Sequence, residues 1–269
     1  MYILDAKIEV SLRSLSNIYV INMNGTSFNI IEEKEIPKVD VLLAGFPGTG
    51  LIGGIASEQL INSLDLEQIA SVESEEFPPT AVIFDGIPRR PVRIFCGMGF
   101  LLVKSDMVIP PNLAEPLATE IIEWSIDHGI EEVIILDGIP ERENQEEKEK
   151  KIWGVLSSKA AETEAKELDI DIIERGAISG ISSCLLLKAH EMKLKAVGMM
   201  AEGKQKMPDP RASAALLEKF AKFRGFDIDT SSLIESAEQL EEQYHQLVKQ
   251  TKQAQDDMEH RSAHPPLYG

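Results

Sequence analysis

Gly48, Gly50 and Gly53 form a G-x-G-x-x-G run. Where such a run joins a strand to a helix, its backbone N–H groups can hold a dinucleotide pyrophosphate at the helix start. Glu73, twenty residues beyond Gly53, stands where a ribose-binding acid would be. The other reading is structural: glycines permit a tight turn and close packing of the helix. Pro47 removes one N–H donor where phosphate would approach. The run is no Walker loop either, because Gly45-x-x-x-x-Gly50 is followed by Leu51-Ile52 and not by Lys and a hydroxyl residue. These features favour the structural reading. Nucleotide or NAD binding through Gly48, Gly50 and Gly53 stands as the alternative.

Other nucleophile and metal patterns are weak. Gly176-Ala177-Ile178-Ser179-Gly180 misses the G-x-S-x-G elbow. Cys96 and Cys184 are far apart, and Cys184 lies in an apolar helical run that reads as core. The five histidines offer no paired metal face; His128 and His190 fall near predicted helix ends, where a cation suits the helix dipole. The acidic runs at 73–76 and 141–149 read as solvated faces, and Arg89, Arg90 and Arg93 as a counterweight to nearby acids. No catalytic residue, metal site or required cofactor is assigned, and no enzymatic activity is expected.

The last three residues have a different chemistry. Leu267-Tyr268-Gly269 is a hydrophobic residue, a tyrosine and a final residue with a free carboxylate. A carboxylate can ion-pair with a lysine while the tyrosine fills a pocket and hydrogen-bonds. Pro265 and Pro266 stiffen the approach. Several such tails on one oligomer would gain avidity.

The elements that must position these groups follow from composition and pattern. Of 269 residues, 45 are acidic and 27 basic, a net charge of -18. That balance argues against nucleic acid and anionic membrane as partners. A 43% apolar and 27% charged chain is ordinary for a globular protein. The first ten residues include Asp5 and Glu9 and lack the basic flank and apolar run of a signal peptide, no apolar run reaches membrane-helix length, and two unpatterned cysteines suit a reducing cytoplasm.

Short strands are expected within 6–31, with Asn24-Gly25 as a hairpin turn. A buried strand over 39–46 runs into the glycine turn and a helix from 51 to about 64. Further strands are expected over 69–73, 81–84, 92–96, 100–104, 132–136 and 194–201. Helices are expected over 112–127, 179–192 and 211–223, the last capped by Pro208-Asp209-Pro210 and ended by Gly225. Residues 141–151 read as a charged loop or exposed helix start. Strands alternating with helices predict a three-layer α/β/α fold with a mainly parallel central sheet.

From Ser231 to Met258 no helix breaker occurs. Leu233, Leu240, Leu247 and Ala254 repeat every seven residues, interleaved with Ala237, Tyr244, Thr251 and Met258. This is the seam of a coiled-coil-like helix. The seam either packs back onto the α/β domain or makes a homo-oligomer, and its narrowness favours association. The expected organisation is a core domain over 1–225, an oligomerisation helix over 226–258 and a tail over 259–269.

Taken together, several motifs resemble the proteasome assembly chaperone family in its archaeal form. They are Gly45-Phe46-Pro47-Gly48-Thr49-Gly50-Leu51-Ile52-Gly53, Glu75-Glu76-Phe77-Pro78-Pro79 and Asp137-Gly138-Ile139-Pro140. Gly180-Ile181-Ser182-Ser183 and Pro208-Asp209-Pro210-Arg211-Ala212-Ser213-Ala214 complete the set. The resemblance covers about residues 38–225. It implies an α/β/α fold without enzymatic activity, and an oligomer that binds the α-ring of the proteasome core particle. Leu267-Tyr268-Gly269 resembles the hydrophobic–tyrosine–X motif of proteasome activators, which enters pockets between α-subunits where the carboxylate meets a lysine. Under this resemblance the glycine turn is structural and no ATP is needed.

Overall fold

The computed structural model describes residues 28–141, 150–205 and 207–240. The strands expected before residue 28, the Asn24-Gly25 turn, most of the charged stretch after Glu141, the seam beyond Leu240 and the tail lie outside the described residues.

Strand β1 (Asn29–Glu32) and strand β2 (Val41–Gly45) precede helix α1 (Ile52–Leu64). Then come β3 (Glu67–Glu73), the small hairpin β4 (Val82–Phe84) and β5 (Ile87–Arg89), β6 (Val92–Gly97) and β7 (Phe100–Ser105). Helix α2 (Pro111–Asp127) leads to β8 (Glu132–Pro140), β9 (Ile152–Leu156), α3 (Glu162–Glu167) and β10 (Asp171–Ile172). Helix α4 (Ile181–Glu191), β11 (Lys195–Gly203) and α5 (Pro210–Arg224) follow, and 231–240 is helical again.

Among the described residues nine strands form one sheet in the order β1-β3-β6-β7-β2-β8-β11-β9-β10. The four central strands, β7, β2, β8 and β11, run parallel. Outside them β1, β3 and β6 pair antiparallel, as does β9 with β11. The mainly parallel expectation therefore holds for the centre, and the sheet as a whole is mixed. The reason is connection length. Crossover helices join the parallel strands, whereas β6 and β7 are joined by the tight Met98-Gly99 turn.

The layers follow from alternation along buried strands. In β2, Leu42 and Ala44 join one core, Val41 and Leu43 the other. In β8, Val133 and Ile135 face the first core, Ile134 and Leu136 the second. A sheet covered on both faces needs such unbroken apolar strands. The first core holds Leu113, Leu117 and Ile121 of α2 with Leu185 and Ala189 of α4. The second holds Ile52, Ala56 and Leu60 of α1 with Leu216, Leu217 and Phe220 of α5.

Local signals explain the helix limits. Asp209 accepts the Ala212 N–H at 3.0 Å, Pro210 occupies the first helical position, and Gly225 ends α5 in the left-handed region at φ 75°. Strand β8 runs on to Pro140, beyond the Leu136 expected as its end, because β11 stays in register beside it as far as Gly203. β9, α3 and β10 were not expected; α3 has six residues and β10 two, too few to show a period.

Candidate functional site

The parallel register brings the C-terminal ends of β7, β2, β8 and β11 to one edge of the sheet. In open α/β sheets this is the edge where ligands bind. The glycine turn lies here, as do Asp137-Gly138 on β8, Ser182 at the start of α4 and Asp209 at the start of α5. Four stretches far apart in sequence thus meet at one edge.

Each glycine of the run has a local reason. Gly50 is left-handed at φ 62° and buried. Leu51 follows at φ 53°, an uncommon state for a side-chain-bearing residue, so the chain turns sharply into α1. A Cβ on Gly53 would lie 2.2 Å from the Leu136 carbonyl oxygen and 2.7 Å from that of Phe46. Helix α1 therefore rests directly on the backbone of β8. A Cβ on Gly48 would lie 2.4 Å from Asp137 Oδ1.

That last contact bears on nucleotide binding. The turn that would cradle a pyrophosphate instead abuts the protein's own carboxylate. Asp137 is 9% exposed; its Oδ2 accepts the Ser182 hydroxyl at 2.6 Å and its Oδ1 accepts the Gly138 N–H at 2.7 Å. Burial pushes this carboxyl up to about 6, against the pull of those two hydrogen bonds. A phosphate beside Gly48 would meet this carboxylate and be repelled while it is ionised.

The flanking cations are committed too. Lys150 Nζ donates to Glu141 at 2.7 Å and to Asp209 at 2.9 Å. Asp209, 2% exposed, also accepts the Ala212 and Lys204 N–H groups. Burial would raise its carboxyl, but the Lys150 ammonium and these N–H donors outweigh burial and hold it below the usual range. On the β7 side, buried Lys104 donates to Glu58 of α1 and, at 2.7 Å, to Asp106, which Arg93 also meets at 2.7 Å. These charges tie β7 to α1 and, separately, the segment before β9 to the end of β8 and the start of α5.

Among the described residues at this edge, no serine or cysteine side chain is hydrogen-bonded to a histidine. Ser182 donates to a carboxylate rather than to a histidine base. His128 is held by the Trp124 carbonyl and Glu32, and His190 by the Ser157 carbonyl. Burial pushes the thiols of Cys96 and Cys184 up, away from the reactive thiolate. Among the described residues no three side chains are grouped to hold a metal, and no helix is long and apolar enough to cross a membrane.

Of the seam residues, Leu233 and Ala237 are buried at 8% and 3%, and Leu233 belongs to the core shared with α1 and α5. Leu240 is half-buried. Tyr244, Leu247, Thr251, Ala254 and Met258 lie outside the described residues, as do Leu267, Tyr268 and Gly269. Sequence reasoning missed the Asp137–Ser182 and Lys150–Asp209 partnerships. Their one signal was that Asp137, Ser182 and Asp209 stand where an expected strand ends or a helix begins.

The model of the PAC2 family matches residues 42–248. An uncharacterized Methanocaldococcus jannaschii protein, MJ0106, is 30% identical over 225 residues, covering 83% of this chain and 92% of that protein. The crystal structure of Pyrococcus furiosus PbaA, an archaeal homolog of proteasome-assembly chaperone, is similar with a TM-score of 0.74 and 30% identity. That similarity covers 87% of this chain and 97% of PbaA. The fold is shared with Pyrococcus furiosus PbaB, an archaeal proteasome activator, at a TM-score of 0.72 and 22% identity over 82% of this chain and 98% of PbaB. A family match running from the first core strand past α5, with a relative 30% identical across most of both chains, places the chain in the PAC2 family.

Proposed function

We propose that this chain is a non-enzymatic proteasome assembly chaperone or activator. It acts as a homo-oligomer and docks its C-terminal tails into pockets of the core-particle α-ring, aiding assembly or gate opening without ATP. The observation that carries the reading is the likeness to PbaA, at 30% identity over 87% of the chain. Two features support it. The glycine turn faces Asp137 instead of an open phosphate cradle. The stretch Leu267-Tyr268-Gly269 supplies the docking contacts of this reading, Leu267, Tyr268 and the Gly269 carboxylate, and Gly269 brings no side chain. Leu233 and Ala237 anchor the last helix to the core, and the seam from Leu240 through Met258 joins the protomers.

Peptide hydrolysis by the cognate core particle tests the reading. The full chain should stimulate hydrolysis or pull down α-subunits, and a chain ending at Pro266 should lose the effect by at least about tenfold, since each tail multiplies avidity. Equal binding by the two chains would remove the tail from the mechanism. Absence of both effects in the full chain would overturn the proteasome reading.

A further inference from the structure

Between β3 and β6 the chain leaves the large sheet. Glu75-Glu76-Phe77-Pro78-Pro79 carries it from β3 into the β4–β5 hairpin. Strands β3 and β7 both run antiparallel to β6, so they end at the same edge of the sheet, and the hairpin emerges there. The Pro91 carbonyl, just past the hairpin, accepts the Asp106 N–H, just past β7, at 2.9 Å. None of Val82, Ile83, Phe84 and Ile87 joins either core. Ile83, Phe84 and Ile87 are 64%, 54% and 51% exposed. Single exposed apolar residues are ordinary, whereas a cluster on one projecting element marks an interaction surface.

The hairpin's backbone says what can join it. Asp85 and Gly86 have φ of 51° and 76°, the left-handed pair of a type I′ turn, which Asp-Gly favours. The register sets Val82 opposite Arg89, Ile83 opposite Pro88 and Phe84 opposite Ile87. The two residues that flank a two-residue turn exchange their hydrogen bonds inward, so the backbone groups of Ile83 and Pro88 point outward. Pro88 has no N–H, which leaves the outer edge of β5 without a donor there. Ile83 offers both N–H and C=O, and β4 has no second neighbour among the described residues. Two strands alone are marginal in water, and a third stabilises them. The open edge is therefore that of β4.

Side chains and charge narrow the kind of strand. Val82, Phe84 and Ile87 share one face of the hairpin. Between Glu73 and Pro91, Glu75, Glu76 and Asp85 are exposed acids with no ion-pair partner among the described residues. Arg89 is the one unpaired base in that stretch, because Arg90 is held by Glu73 at 2.8 Å. The unpaired charge is thus net negative. A second copy of the chain would bring like charge to like, and an anionic membrane would be repelled by Asp85 at the tip. We propose that the β4 edge takes up, by strand addition, an extended segment of a partner protein in which apolar and basic residues alternate. The surface shares no residue with the C-terminal tail and does not rest on the proteasome reading.

The test uses the full chain and a fluorescent peptide of about eight residues, valine alternating with lysine. Fluorescence anisotropy should show saturable binding that weakens several-fold between about 50 and 300 mM salt, as screening of exposed charges requires. N-methylation of alternate residues along one edge of the peptide should weaken binding at least tenfold, and along the other edge far less, because only one row of N–H groups faces β4. Ile83→Pro, which removes the outward N–H, should also cost at least tenfold, and Ile83→Val should bind like the parent. Joint replacement Phe84→Ser and Ile87→Ser should weaken binding comparably to Ile83→Pro. These variants should keep the parent's thermal midpoint, since the hairpin lies outside both cores. Equal loss from methylation along either edge, no effect of Ile83→Pro, or tighter binding of a peptide with glutamate for lysine would overturn the proposal. So would absence of saturable binding by the parent. If Ile83→Pro then removes a self-associated species by light scattering, the edge belongs to a second copy of the chain and the proposal falls.

Discussion

Strand β8 buries a carboxylate near each end, and the fold treats the two differently. Asp137, at the edge where ligands bind in such sheets, accepts two hydrogen bonds and faces the glycine turn. Glu132, at the opposite edge, lies between the starts of β2 and β11, and its Oε1 has no hydrogen-bond partner among the described residues. Burial pushes Asp137 up to about 6 and Glu132 up to about 7, the latter with help from nearby Glu164 and against Lys195 and Arg224. At the first edge a carboxylate holds chain segments together where a cofactor phosphate would otherwise sit. At the second it is tolerated at a cost. Burial by itself therefore does not distinguish a structural acid from a strained one; the partner list does.

The largest expected effect would break the first edge. Gly53→Ala places a methyl group against the backbone carbonyls of Leu136 in β8 and of Phe46 just after β2, neither of which can rotate away. Overpacking of this kind costs about 3 kcal/mol or more, seen in a denaturant titration or as insoluble expression. A variant as stable as the parent would mean that α1 does not rest on β8 as described. Next comes Asp137→Ala. It strips the acceptor from the buried Ser182 hydroxyl and from the Gly138 N–H, at a cost of about 2–3 kcal/mol. A neutral outcome would reduce Asp137 to a bystander and reopen the turn to ligands.

These partnerships show where the sequence was legible. The run Val41–Gly45 reads as a strand because both faces are buried, and Pro208-Asp209-Pro210 reads as a helix start because the cap is local. Ser182 and Asp137 are 45 positions apart, and only the packing of α4 against β8 brings them together. No spacing rule carries that information. The strip beginning at Leu233 was ambiguous for another reason. A heptad seam and a helix packed on α5 use the same spacing, and what decides for Leu233 is the apolar surface around Phe220, which is non-local. β9 was missed because its pairing with β11 is set by tertiary contact, and its start is crowded with lysines.

The smallest effect sharpens the contrast at the second edge. Between pH 4.5 and about 7 the folded chain keeps a proton on Glu132 that the unfolded chain has released. Folding therefore binds a proton over this window, and the stability it contributes is full below pH 4.5 and lost as pH rises through 7. Glu132→Gln keeps the shape and removes the charge. It should leave stability unchanged at pH 4 and raise it by about 1 kcal/mol at pH 8, a figure discounted from the full shift because Lys195 and Arg224 remain close. Denaturant midpoints of parent and variant at the two pH values read this directly. A gain at both values would point to packing instead of charge. A loss at pH 8 would mean that the Glu132 carboxylate has acceptor work to do there, and the two ends of β8 would then be alike.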